Sequence, residues 1–181
     1  MTTVRRVVEQ EEGLDVGRIL GIGFDATCSL VVEGEQSSAL LVGSEPGFNV
    51  IMWMDHRASK EAALINATKH KVLDYVGGAV SLEMQLPKLL WLKKHKPDVW
   101  KQSRRFFDLP DWLTYKASGS DTRSFCSVVC KWNYFVPSET EILGWDLEFF
   151  ETIGLGDLAE DSWRKIGSEV LSPGQRKALK T

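Results

Sequence analysis

A mixed α/β fold, a sheet covered by helices, is what the order of patterns in this 181-residue chain predicts. Three observations carry it. Short apolar runs dominate the first third, helical spacing takes over from Arg57, and Gly or Pro closes most of the runs.

In order along the chain, residues 4–12 read as a short helix ended by Gly13. Residues 18–24 read as a buried strand through Ile19, Leu20 and Ile22, leading to the polar set Asp25, Thr27 and Ser29. Leu30-Val31-Val32 and residues 39–42 flank a polar turn, as a hairpin requires. Residues 43–49 are loop, and 50–54 form a third apolar strand. Ala62, Ile65, Lys69 and Val72 then fall at helical spacing, and Gly77-Gly78 ends that run. A second helix spans 87–96 with Leu89, Leu90 and Leu92 apolar, and Pro97 closes it. Residues 111–119 form a short helix ended by Gly119, and further helices are expected over 147–153 and 158–165. Trp91, Trp112, Trp145 and Trp163 lie among aliphatics and read as core. The tail from 172 onward has no apolar period and reads as a frayed end.

Composition excludes several classes. A net charge of −3 gives no field for nucleic acid or an anionic membrane surface. No apolar run reaches the length of a membrane span, and the first residues lead into acids rather than a signal-peptide core. Three cysteines, an odd count, fit reduced and buried thiols in the cytoplasm. Gly21-x-Gly23 lacks the third glycine of a dinucleotide fingerprint.

Two stretches carry chemistry. In Trp53-Met54-Asp55-His56-Arg57, a strand ends in an aromatic ring beside a carboxylate, which suits the C–H face and the hydroxyls of a sugar. The alternative is that Asp55 caps the next helix while Arg57 pairs with Glu61. In Cys130-Lys131-Trp132, a lysine follows the uncharged run 124–130 and must reach solvent or a partner; the alternative is a plain surface lysine. Asp25 follows an apolar run as Asp55 does. With Asp55 it reads as a pair of carboxylates for Mg²⁺, as the floor of a sugar pocket, or as a turn residue.

Both stretches, with residues 21–30, 75–92 and 106–119, resemble the FGGY carbohydrate kinases, most closely the ribulokinase-like branch. The resemblance implies an incomplete ribonuclease-H-like (actin-like ATPase superfamily) domain. Residues 1–174 would then be part of the first, sugar-binding domain and 175–181 a divergent, disordered tail, with the second, ATP-binding domain absent. It implies that Lys131, Asp55, Trp53 and Asp25 face a small-molecule sugar, a pentulose such as D-ribulose, while Lys88 in Pro87-Lys88-Leu89-Leu90-Trp91 is structural. ATP and Mg²⁺ would serve the complete enzyme and not bind tightly here. The catalytic base would come from the second domain, so this chain alone is expected to be inactive. The alternative is a non-catalytic sugar-binding or regulatory piece that associates with the full-length kinase.

Overall fold

A computed structural model describes residues 2–11, 13, 15–43, 47–136 and 144–175. Its centre is a three-stranded sheet in the order β2–β1–β3, from β1 (Leu30–Glu33), β2 (Val50–Ile51) and β3 (Arg105–Asp108). Strand β1 is antiparallel to both neighbours, with Leu30 opposite Ile51 on one side and Asp108 on the other. Strands β2 and β3 therefore run parallel to each other, and both end beside the residue that begins β1. All of β1 is buried, which is why Leu30-Val31-Val32 shows no alternation.

Helices α1 (Thr2–Gln10), α2 (Ser59–Ala67), α3 (Gln85–His95), α4 (Pro97–Gln102), α5 (Leu109–Ser118), α6 (Phe125–Trp132) and α7 (Leu147–Thr152) follow one another along the chain. A second, parallel pair joins β4 (Thr122–Ser124) to β5 (Glu169–Leu171). The expected combination of sheet and helices is what forms, with the antiparallel and parallel pairs in two separate sheets. Helix α3 is central, with every residue from Gln85 to Leu90 buried. Pro97 ends it and opens α4, the one helical turn where a missing N–H costs nothing. Helix α5 stops at Gly119, whose φ of 68° is the left-handed cap that glycine adopts without strain. The core joins Leu30, Ile51, Leu89 and Phe106 to Val128, Trp132, Phe149 and Phe150.

Several local expectations differ. Residues 19–24 form no strand and 19–23 are exposed, with Leu20 at 78%, because no described strand lies alongside to complete a ladder. The helix from Arg57 breaks at Lys69 (φ 50°), where His70 instead caps a 3₁₀ turn, Lys71–Val76, by accepting from the Val72 amide. Residues 158–165 are not one helix: Ser162 and Trp163 take positive φ, and the Trp163 ring packs against Trp145 and Phe150. Cys126 and Cys130 are exposed rather than buried, because the buried face of α6 is Val128 and Trp132. The tail beyond 175 lies outside the described residues.

Candidate functional site

The ends of β2 and β3 and the start of β1 meet at one end of the sheet. In open α/β sheets this is where side chains face a ligand. The turn after β2 is held from both sides. Ser29 Oγ accepts from the Trp53 amide at 3.2 Å. From α3, the Lys88 ammonium, 1% exposed, donates to the carbonyls of Met52 (3.1 Å) and Trp53 (2.9 Å). Burial draws the Lys88 value below the ordinary lysine range, while the charges of Asp55 and Asp108 oppose that and the charge of Lys131 adds to it. Lys88 is thus structural, as its sequence context suggested, and it is also the positive centre of the group.

Asp55 is clasped by its neighbour Arg57. Oδ1 accepts from the Arg57 amide (3.1 Å) and Nε (2.9 Å), and Oδ2 lies 2.6 Å from the guanidinium. Burial pulls the Asp55 carboxyl upward, but these hydrogen bonds and the charges of Arg57 and Lys88 outweigh it and hold it below the usual range. Arg57 also lies over the Trp91 ring at 5.1 Å. The pairing of Arg57 with Glu61 does not occur; Glu61 is buried and faces Lys94 at 3.6 Å. A cleft of about 580 Å³ opens beside Asp55, lined also by Phe48, Met52, Met54 and Arg57.

Lys131 sits in the last turn of α6, half-buried. Among the described residues it makes no hydrogen bond or ion pair, while its charge acts on Asp108, Lys88 and Cys28. An ammonium left unpaired beside a buried carboxylate and a buried lysine is available to an incoming oxygen. Trp53 is half-buried, held through its backbone. Asp25 is exposed on the unpaired extended segment and, among the described residues, makes no hydrogen bond or ion pair. Lys131, Asp55 and the Trp53 backbone are brought together around Lys88; no contact ties Asp25 to them.

Two residues at this point escaped the sequence reading. Asp108, fully buried, ends β3, and its Oδ1 accepts from the Gln85 amide at the start of α3. Burial, then the charge of Asp111, push the Asp108 carboxyl up to about 7, against hydrogen bonds from Gln85 and Trp132 and the charge of Lys131. The signal was present: Phe106-Phe107-Asp108 is an apolar strand closed by a carboxylate, the same pattern that singled out Asp25 and Asp55.

Among the described residues, the one grouping of three potential metal ligands is His70, Asp146 and Glu148. His70 Nδ1 accepts from the Val72 amide, which puts the ring proton on Nε2 and leaves no free lone pair. Asp146 Oδ1 is spent on the Phe149 amide as the cap of α7. The group reads as a polar clamp between two turns.

Polar groups gathered around a buried lysine at the sheet end, under a helix whose Lys131 has no hydrogen bond or ion pair among the described residues, sit on a fold of the sugar-kinase class. Solved relatives agree on the fold: xylulose kinase from Lactobacillus acidophilus superposes with a TM-score of 0.64 over 86% of this chain and 29% of that one, at 17% identity. Xylulose kinase from Bifidobacterium adolescentis gives 0.59 over 85% and 35%, at 15% identity. Residues 1–156 match the FGGY family of carbohydrate kinases, N-terminal domain, and the chain belongs to that family. It is 54% identical over 159 residues to the FGGY carbohydrate kinase domain-containing protein of Xenopus laevis, covering 86% of this chain and 28% of the relative. It is 47% identical over 174 residues to a D-ribulokinase of Saccharomyces cerevisiae, covering 92% and 24%. The chain therefore spans about a quarter of the length of these curated relatives.

Proposed function

We propose that the parent protein phosphorylates a pentulose such as D-ribulose with ATP, in the cytoplasm, and that this chain supplies part of the sugar-binding domain. The unpaired Lys131 ammonium at the sheet end is the observation that carries this reading, and the D-ribulokinase relative supports the sugar class. Lys131 donates to a ketose oxygen. Both lone pairs of Asp55 Oδ1 go to Arg57, but Oδ2 keeps one beyond the one Arg57 uses, so it accepts from a hydroxyl. Trp53 covers the C–H edge, and Asp25 forms the floor of the pocket. These groups bind and orient the sugar. ATP and Mg²⁺ supply the transferred phosphoryl group and its charge neutralisation in the complete enzyme. The chain alone lacks turnover.

The test is ATP-dependent phosphorylation of D-ribulose, with D-xylulose as comparison, by the longer parent chain and by this chain. The parent is expected to turn over D-ribulose and to lose most of that activity on Lys131→Ala. A parent indifferent to that change, or turnover by this chain alone, overturns the reading.

A second reading, association with the full-length kinase, is favoured by the unpaired segment with Ile19, Leu20 and Ile22 exposed at 42, 78 and 39%. Co-purification of the two chains supports it; a monomer that ignores the kinase refutes it.

A further inference from the structure

Two buried oxygens near the sheet end have no hydrogen-bond partner, and both belong to residues already joined to each other. They are Asp108 Oδ2 and Gln85 Oε1. The one bond that joins the pair runs from Gln85 Nε2 to Asp108 Oδ1. The orientation of the Gln85 amide is fixed independently, because the same nitrogen faces the Cys28 carbonyl at 2.8 Å, and a carbonyl can only accept. With an ionised carboxylate, the arrangement leaves two acceptors in the interior with no donor, an expensive state. A proton on Asp108 Oδ2 turns that oxygen from an orphaned acceptor into a donor, and Gln85 Oε1 is the other orphaned acceptor of the pair. Trp132, fully buried, acts on the same carboxyl and is the residue after Lys131 on α6.

We propose that Asp108 is a protonated positioning residue, paired with Gln85, that acts through Trp132 to set Lys131 at the sheet end. This rests on the reading of Lys131 as sugar-facing. The charged and titratable groups around Asp108 are Asp111 on α5, Lys131 and Cys130 on α6, Lys88 on α3, and Cys28 ahead of β1. Burial and Asp111 hold the proton on, and a value of about 7 puts its loss near neutrality. Losing it turns the carboxyl into an anion that draws the Lys131 ammonium toward the protein and away from a ligand. Asn at 108 keeps an acceptor and a donor in the same places without a proton to lose, whereas Ala keeps neither.

The experiment follows the Asp108 carboxyl carbon and the ¹³C-methylated Lys131 amine by NMR from pH 4.5 to 8.5, and then titrates D-ribulose. The expected result is an Asp108 carboxyl protonated well above pH 5, with the Lys131 signal inflecting at the same pH and flat in Asp108→Asn. D-ribulose affinity is expected to fall severalfold between pH 6 and 8 in the native chain and to stay level in Asp108→Asn. A carboxyl that ionises near pH 4, or a Lys131 signal blind to it, overturns the proposal whatever D-ribulose does. Intact NMR coupling without D-ribulose binding leaves the pair standing and sinks the sugar reading instead.

Discussion

Replacing Lys88 by methionine tests the hub of the site without touching the residues that meet a ligand. The stem of the side chain is kept, and the ammonium and its two donated hydrogen bonds to the Met52 and Trp53 carbonyls are lost. Hydrogen bonds from a charged donor contribute roughly 1.5–3 kcal/mol each, so about 3 kcal/mol is the lower bound for the pair. Against that, the ammonium no longer has to be held out of water, which favours the mutant. The loss wins because the two carbonyl oxygens stay behind with no donor, leaving a net cost of about 2 kcal/mol. With a urea slope of about 2 kcal/mol per M, the midpoint should fall by about 1 M. Equilibrium urea unfolding followed by tryptophan fluorescence reads this directly. A midpoint unchanged or raised would mean that the buried ammonium does not hold the turn, and the account of the sheet end would fail.

Lys131→Ala is expected to weaken D-ribulose binding by about 10- to 100-fold while leaving the urea midpoint within about 0.2 M, since the group makes no hydrogen bond or ion pair among the described residues; calorimetry and unfolding on one preparation check both. Gly167→Ala should cost several kcal/mol in unfolding free energy, because Gly167 holds φ 113° and an added Cβ would run into the buried Arg123 side chain. Asp111 is held up to about 6, by burial first, so its native value lies above the ordinary 3.8. Its contribution to stability is complete below about pH 4 and is lost as pH rises to about 6, up to about 3 kcal/mol. Asp111→Asn should flatten that part of the stability–pH curve, measured by urea unfolding at pH 4, 5, 6 and 7.

Much of this was written in the sequence because the cues were local. Gly119 and Pro97 marked helix ends through their own backbone constraints, and the apolar run at 30–32 marked a strand, although its ladders run to 50–51 and 105–108 and it meets the expected hairpin arm 39–42 only at the Glu33–Ala39 bridge. Lys131 stood out because it follows a long uncharged segment and because that stretch resembles the family's sugar-binding one; its position alone left the plain surface lysine open. What failed depended on partners far along the chain. Residues 19–24 have the composition of a buried strand, but a strand is a pairing and none is offered to them. Asp108 and Gln85 were invisible as a pair because 23 positions separate them and only the antiparallel register of β1 and β3, with α3 packed above, brings them face to face. The cysteines were misread because helical phase, not thiol chemistry, decided which side of α6 they occupy.

The account stands most directly on whether this chain holds a sugar at the Lys131 end of its sheet. Thermal unfolding across a D-ribulose titration, run on the native chain and on Lys131→Ala, reads that in one experiment. A saturable rise in melting temperature in the native chain, absent in the mutant, is predicted. A cooperative melt that D-ribulose leaves unmoved, or an equal rise in both chains, would contradict it.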